Sequence, residues 1–464
     1  MKLIFRGLNW RTLVLIVCET VAIVCAVYLA ALIRLGDSVP WTNYILPPAL
    51  LFAVVTQLCL YFADLYDFRV ITDRRELFVR SMQAIGSTSL ILAGMYFWLN
   101  EWLNEVILGR GVFLIAAMFV VLFVLGWRIS FDWAAHRVGP RDRLLLVGTS
   151  ESAVKLAREL YDRRDLGVEI VGFIDPDPAR IGSPVFNPGV IGTIDDIPRI
   201  VRDYGIDEVV VSLSDARGKL PMDKLLEMKL EGVSFEHLAS VYEKYTGKIA
   251  VENLRPSWLI FSPGFRKSVF LRVAKRALDV SASLAGLVLG APLMLLVAAA
   301  VRLTSPGPVL YRQERVGLRG HIFRVIKFRS MRQDAEQTTG AVWATKGDSR
   351  ITAVGGFLRR TRLDELPQLW NVLKGDMSFV GPRPERPEFV TSLTKDIPFY
   401  GQRHSVRPGL TGWAQVRYTY GASLEDAMEK LQYDLFYIKN MSIALDLYII
   451  VNTVKTVLMQ RGGQ

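Results

Sequence analysis

The stretch KRALDVSASLAGLVLGAPLMLLVAAAVRL, residues 275–303, decides how the chain is organised. Its 22 residues from Val280 to Val301 carry no charge, a length that suits a membrane span. Two features oppose a simple crossing. Lys275 and Arg276 precede the run, and Arg302, Arg312, Arg315 and Arg319 follow it. The tendency of basic residues to stay cytoplasmic therefore puts both ends on one side. Pro292 sits in the middle, where it removes a helix hydrogen bond and bends the helix. A helix that enters, breaks at Ala291-Pro292 and returns to the same face meets both constraints. A plain span satisfies the length alone.

Upstream, four apolar segments at about 12–33, 44–63, 80–99 and 110–130 each approach span length. Hydrophobic residues make up 51% of the 464, and mean hydropathy is +0.26, high for a soluble protein. The first segment is too long and too early for a cleaved signal peptide. Basic residues set the orientation: Lys2, Arg6 and Arg11 before the first span, Arg69, Arg74, Arg75 and Arg80 around the second loop, and Arg128, Arg137, Arg141 and Arg143 after the fourth. The other loops hold Arg34 and Arg110 at their edges, with Glu101 and Glu105. Both ends of this bundle are expected in the cytoplasm. Glu19, inside the first span, reads as an interhelical hydrogen bond before a pathway residue. Cys18, Cys25 and Cys59 have no disulfide or zinc spacing and read as packing residues.

From Arg143 the pattern becomes strands alternating with amphipathic helices: RLLLVGTSESAVKLARELYD, VEIVGFIDPD, IDDIPRIVRDYG and IDEVVVSLSD. This predicts a doubly wound parallel sheet over about 141–250. The turn Gly148-Thr149-Ser150-Glu151-Ser152-Ala153 lacks two of the three fingerprint glycines, and Glu151 repels a pyrophosphate. Asp175 stands where a ribose-binding acid would, but DPD is equally a turn. Regulation or assembly is preferred over tight dinucleotide binding.

The net charge of +11 is concentrated. Between Arg266 and Arg332, 13 Lys or Arg oppose only Asp279 and Glu314, a net of +11 by itself. Such a patch serves nucleic acid, anionic lipid or phosphorylated substrate, and its place around an apolar run favours lipid and phosphate over nucleic acid. Four stretches follow. FRVIKFRSM is strand-like, and period two puts Lys327 and Arg329 on one face, suited either to a diphosphate or to a solvated edge. MSFVGPRPE brackets Arg383 between Pro382 and Pro384, which fix the backbone beneath the guanidinium. RHSVRPGLTGWAQV offers His404, Arg407 and Trp413, the last a stacking surface for a base. FLRRTRLDELPQLWN sets Arg359, Arg360 and Arg362 before Asp364 and Glu365. Locally, Asp364 reads as an N-cap, Glu365 as a complement to the helix dipole and Pro367 as a first-turn residue, with Gly375 closing the helix after Lys374. The same placement suits a nucleophile, because a carboxylate at a helix N-terminus faces amides able to hold a phosphoryl oxygen. Its neighbour could bind Mg²⁺.

Three ordered motifs, KFRSM, LDELPQLWNVLKGDMSFVGPRP and VRPGLTGWAQV, resemble the bacterial polyprenyl-phosphate sugar-phosphate transferases, or monotopic phosphoglycosyl transferases, over about 266–464. Four spans and a Rossmann-like domain resemble the large subclass that initiates exopolysaccharide or O-antigen synthesis. The resemblance implies a multidomain membrane protein: a four-helix transmembrane bundle (1–140), a Rossmann-like α/β domain (141–262) and an α/β monotopic catalytic domain (263–464) whose re-entrant helix is 275–303. It implies that Asp364 attacks a UDP-sugar, releases UMP and passes the sugar phosphate to undecaprenyl phosphate. Glu365 then assists Mg²⁺ and proton handling, Arg359 helps hold phosphate, and Arg383 contacts the nucleotide. The family breaks its re-entrant helix at Ser-Pro; here the pair is Ala291-Pro292, so no serine hydroxyl contributes. A homodimer in the bacterial inner membrane, with the catalytic domain cytoplasmic, is the implied state. The sugar favoured is glucose or galactose. Two other classes compete with this one: a membrane-tethered nucleotide-sugar dehydratase or epimerase, and a non-enzymatic assembly scaffold. The first needs a Tyr-x-x-x-Lys pair, and none of the sixteen tyrosines has lysine four places on. The second leaves the arginine-bracketed carboxylates unexplained.

Overall fold

A computed structural model describes residues 10–36, 45–66, 74–99, 110–138, 142–162, 168–212, 222–251, 264–333, 350–418 and 423–459, with 262, 335, 348 and 421 between them. Lys2, Arg6, Arg69, Glu101, Glu105 and Arg141 lie outside the described residues. The chain forms two compact units, Met1–Glu236 and His237–Gln464.

The first unit opens with four helices, α1 (Trp10–Leu35), α2 (Leu46–Phe62), α3 (Arg74–Leu99) and α4 (Arg110–Val138). Alanines 26, 30, 49, 53 and 116 interleave with Ile23, Phe52, Leu60, Val120 and Val124 in their common core, small residues letting the backbones approach. The outward face is apolar as well, with Val21, Val54, Leu90, Leu114, Met118 and Leu122 exposed. A helix apolar all round needs an apolar surrounding. Of the four expected spans, Thr12–Leu35 and Gly111–Phe131 are long and apolar enough to cross a membrane. The second helix is apolar but shorter. The third carries Arg80, Gln83, Ser87, Thr88 and Ser89 along its length, which dilutes its hydropathy. Glu19 is fully buried and ion-paired to Arg128 at 2.6 Å, while Tyr66 donates to its other oxygen at 2.6 Å, the interhelical role expected of it. Cys18 and Cys59 are half-buried, but Cys25 is exposed on the outer face of α1, so it does not pack inside.

The doubly wound pattern forms a five-stranded sheet, β1 (Asp142–Val147), β2 (Val168–Ile174), β3 (Val190–Gly192), β4 (Glu208–Val211) and β5 (Ser234–His237), in the order 3-2-1-4-5. The β1–β2, β1–β4 and β2–β3 pairs are parallel. Helices α5 (Glu151–Asp162), α6 (Ile197–Tyr204) and α7 (Met222–Leu230) connect the strands. Asp175 is buried and accepts from Thr149 at 2.5 Å, Arg180 at 2.9 Å and the Asp177 amide at 3.0 Å. Its carboxylate is thus already tied to the turn after β1.

The second unit begins with α8 (Leu238–Thr246), followed by α9 (Val269–Thr304). The expected break at Ala291-Pro292 does not interrupt the helix. Pro292 lies inside one continuous α9 of 36 residues, because a single lost hydrogen bond bends a helix without ending it when both flanks are strongly helical. Both ends of α9 are packed on the same unit. Near its start, Lys275 bonds the Val380 carbonyl and Asp446, Arg276 bonds the Val372 and Leu373 carbonyls, and Asp279 accepts from Ser378 and the Phe379 amide. Near its end, Val297 and Val301 pack with Phe328 and Leu358. Between these anchors Leu284, Val288, Leu289, Leu295 and Leu296 are exposed.

A β6–β7 hairpin (Leu310–Val316, Ile322–Phe328) follows, then α10 (Ala353–Arg360), α11 (Gln368–Lys374), β8 (Ser378–Val380), α12 (Pro387–Asp396), β9 (Gly409–Thr411), α13 (Trp413–Arg417), α14 (Leu424–Asn440) and α15 (Ile443–Leu458). Strands β8 and β9 run parallel. A Cβ at Gly381 would collide with the Arg407 carbonyl and one at Gly409 with the Gly381 amide, so this crossing requires glycine at both.

Candidate active site

The site begins where α10 ends. Thr352 caps that helix by accepting from the Gly355 amide at 3.0 Å, and the chain reverses at Arg362, whose φ of 58° is left-handed. A non-glycine residue there stores strain of about 1 kcal/mol or more. Leu363–Glu365 then forms a single 3₁₀ turn ahead of α11. This corrects the expectation that Asp364 is an N-cap. Pro367 holds that position, and no side chain caps α11. Gly375 closes the helix as expected, with φ 99°.

The LDEL pattern explains how the pair is presented. Leu363 and Leu366 pack with Val297, Val301, Phe328 and Leu358, leaving Asp364 and Glu365 between them, each less than a tenth exposed. Asn371 on α11 locks the turn to the hairpin. It accepts from the Ile326 amide at 3.0 Å and donates to the Arg324 carbonyl at 2.8 Å. That registration sets Lys327 against Glu365.

Three cations converge on one oxygen of Glu365: Arg383 at 2.8 Å, Lys327 at 3.1 Å and Arg362 at 3.6 Å. Burial would raise this carboxyl, but Arg383, Lys327 and Arg362 outweigh it and hold Glu365 well below the usual carboxylate range. Asp364 behaves oppositely. Burial and the adjacent Glu365 charge push it up to about 6, against Lys327, Arg362 and Arg359. Its buried Oδ1 has no hydrogen-bond partner. Burial also lowers the Lys327 ammonium, with Glu365 opposing. The result is one carboxylate held ionised by its cations and a second with a buried, unpartnered oxygen beside them.

The other expected site residues divide. Pro382 and Pro384 flank Arg383 as read, and their carbonyls accept from the Gly409 amide (2.9 Å) and Arg315 (3.0 Å). Arg359 reaches Asp364 through its charge. Arg329 does not share the Lys327 site. It follows the last residue of β7, and its buried guanidinium holds the carbonyls of Ser305 (2.8 Å) and Pro306 (2.6 Å) beyond α9. Arg407 is exposed and bonds the Gly375 carbonyl at 3.0 Å, away from the carboxylates. Trp413 is no stacking platform. It is 5% exposed, stacked on Phe436 and hydrogen-bonded to the Gly247 carbonyl, because its indole fills the α13–α14 core. Sequence reasoning missed Asn371, Arg315 and Arg403; an asparagine or arginine that bonds distant backbone leaves no local pattern.

Among the described residues, no group of three or more His, Cys, Asp or Glu forms a metal cage. The pair nevertheless fits a hard cation such as Mg²⁺, which takes one or two carboxylates and completes its shell from water and substrate phosphate. Asp364 and Glu365 would be its carboxylate ligands.

An apolar helix docked by both ends on a unit that also holds a buried carboxylate pair among cations marks a membrane-associated protein with a site suited to anionic, phosphorylated groups. The comparisons narrow this class. The model of the bacterial sugar transferase family matches residues 270–460, and that of a CoA-binding domain matches 61–225. A UDP-N-acetylgalactosamine-undecaprenyl-phosphate N-acetylgalactosaminephosphotransferase of Aeromonas hydrophila is 41% identical over 259 residues, 56% of this chain and 60% of that protein. A UDP-glucose:undecaprenyl-phosphate glucose-1-phosphate transferase of Xanthomonas campestris pv. campestris is 36% identical over 69% of this chain and 67% of its own length. An exopolysaccharide production protein of Rhizobium leguminosarum bv. phaseoli is 44% identical over 41% of this chain and 98% of its own. The chain belongs to the bacterial sugar transferase family, among the undecaprenyl-phosphate sugar phosphotransferases.

Proposed function

We propose that the protein transfers a hexose 1-phosphate from a UDP-sugar to undecaprenyl phosphate through an aspartyl-phosphosugar. The observation that carries this reading is the contrast within the pair: one oxygen of Glu365 meets three cations, while Asp364 is buried with an oxygen that has no hydrogen-bond partner. A carboxylate oxygen of Asp364 attacks the sugar-bearing phosphorus, and the bond from that phosphorus to the bridging oxygen breaks. The bridging oxygen leaves with UMP. A phosphate oxygen of undecaprenyl phosphate then attacks the same phosphorus, breaks the acyl phosphate bond and restores the carboxylate. Lys327, Arg359, Arg362 and Arg383 offset charge on the transferring group. Mg²⁺ held by Asp364 and Glu365 would neutralise the diphosphate and the departing UMP.

The lipid acceptor requires a site at the bilayer surface, which α9 supplies in this reading by bending at Pro292, where one helix hydrogen bond is lost, and returning to the face it entered. Anchors at Lys275–Asp279 and Val297–Val301 on one unit, with exposed leucines between them, support entry and return from a single face. The reading places the catalytic unit on the cytoplasmic face of a bacterial inner membrane, with the chain acting as a homodimer. Glucose and galactose are the sugars favoured. The test is UMP release by the purified protein given undecaprenyl phosphate, Mg²⁺ and in turn UDP-glucose, UDP-galactose and UDP-N-acetylgalactosamine. Asp364→Asn should fold and release none. Full activity in that variant would sink the covalent mechanism, and a preference for the N-acetylated donor would correct the sugar.

A further inference from the structure

We infer that Arg403 is a positioning residue that sets Arg383 against Glu365 by gripping the backbone of the Pro-Arg-Pro segment. The inference rests on the proposed transfer reaction. Pro382 and Pro384 have no amide hydrogen, so around Arg383 the carbonyls are the main handles by which the protein can fix the chain. Each one is held. The Pro382 carbonyl accepts from the Gly409 amide at 2.9 Å, that of Arg383 from Arg403 Nη2 at 3.1 Å, that of Pro384 from Arg315 Nη1 at 3.0 Å and that of Glu385 from the Val316 amide at 2.9 Å. The prolines limit the segment's freedom, and the four carbonyl bonds select its place.

Arg403 suits the task because it is fixed on every side. It is 5% exposed. Its Nε and Nη2 both donate to Asp434 Oδ2, at 3.1 and 2.8 Å, and its Nη1 donates to the Tyr400 hydroxyl at 2.6 Å. Asp434 is itself buried on α14. A lysine keeps the charge but not the planar fork that spans carboxylate, phenol and carbonyl together.

An ordinary core ion pair would show the same burial, so the test must separate positioning from stability. A double-mutant cycle on turnover, with Arg403→Lys and Arg383→Ala singly and together, does this. In the presence of Arg383, Arg403→Lys should lower kcat/KM for UDP-sugar by about 10- to 100-fold, the scale of a small misplacement in a site. In the Arg383→Ala background it should change the rate less than about twofold, since nothing remains to be positioned. Equal losses in both backgrounds would overturn the inference. Should Arg403→Lys fail to fold, Arg315→Gln, which releases the Pro384 carbonyl from the other side, enters the same cycle with the same expectation. Absence of UMP release by the wild type would refute the transfer reaction itself, a result distinct from additivity in the cycle.

Discussion

With Glu365 saturated by Lys327 and Arg383, protonation in the site falls on Asp364, whose carboxyl stands at about 6. A nucleophile must be ionised, so kcat/KM for UDP-sugar should fall tenfold per pH unit below about 6 and level off above it. A pH profile with its acid limb near 4 would refute this. The same shift has a stability consequence of defined sign. The folded protein binds the Asp364 proton more tightly than the unfolded chain, so this contribution is stabilising below about 4 and disappears as pH rises through 6. Asp364→Asn, which never ionises, should therefore stabilise the protein by about 1–3 kcal/mol at pH 8 and by almost nothing at pH 4, read as Tm in detergent. Trp413 gives a second residue-scale expectation. Trp413→Ala removes an indole buried against Phe436 and should cost about 3–5 kcal/mol. Any protein that remains folded should bind UDP as the wild type does. Lost UDP affinity at unchanged Tm would restore the stacking role.

At the scale of elements, α9 decides whether the catalytic unit sits on the bilayer or beyond it. Single cysteines at Phe270 and Leu303, both more than four-fifths exposed, in a chain with Cys18, Cys25 and Cys59 replaced, report the two ends separately. An impermeant maleimide should reach both from the cytoplasmic side of inverted vesicles and neither from the other side. Labelling from opposite sides would establish a crossing helix. Much of this architecture was legible in sequence. The alternation from Arg143 and the glycine after Lys374 each act through local chemistry that a reader of the chain can follow. Continuity of α9 through Pro292 was not legible, because it depends on helical flanks held at Asp279 and Val301 by segments remote in sequence. The same holds in the site. Asp364, Glu365, Lys327 and Arg383 lie in motifs dense with charge, whereas Asn371, Arg315 and Arg403 act on distant carbonyls and amides. Arg329 and Trp413 read as ligand-facing in sequence for a related reason: a cation or an indole offers the same chemistry to a ligand as to its own core.

At the scale of the molecule, every site residue from Arg315 to Arg403 belongs to the unit His237–Gln464, so transfer should not need the bundle or the five-stranded sheet. The Rhizobium relative, matched along 98% of its length by 196 residues of this chain, is a family member shorter than that unit. Where the chain is cut matters. Residues 238–251 are fastened to the catalytic core. Glu243 pairs with Lys439 and Asn440, Lys248 with Glu429, the Ile249 amide with the Gln432 carbonyl and the Gly247 carbonyl with Trp413. Ile249 and Val251 complete the cluster around Trp413, Leu431 and Leu435. A fragment of residues 237–464 should therefore fold in detergent and release UMP at a rate within about threefold of the full chain, since it keeps every residue of the site. A fragment of residues 263–464 removes Ile249 and Val251 from the Trp413 cluster and leaves the indole hydrogen unsatisfied, a combined cost of about 3–6 kcal/mol. That is a large share of a domain's whole stability. It should melt lower and lose activity in parallel. If the longer fragment folds with native Tm yet releases no UMP, the first unit contributes directly to catalysis and the site is larger than the catalytic unit.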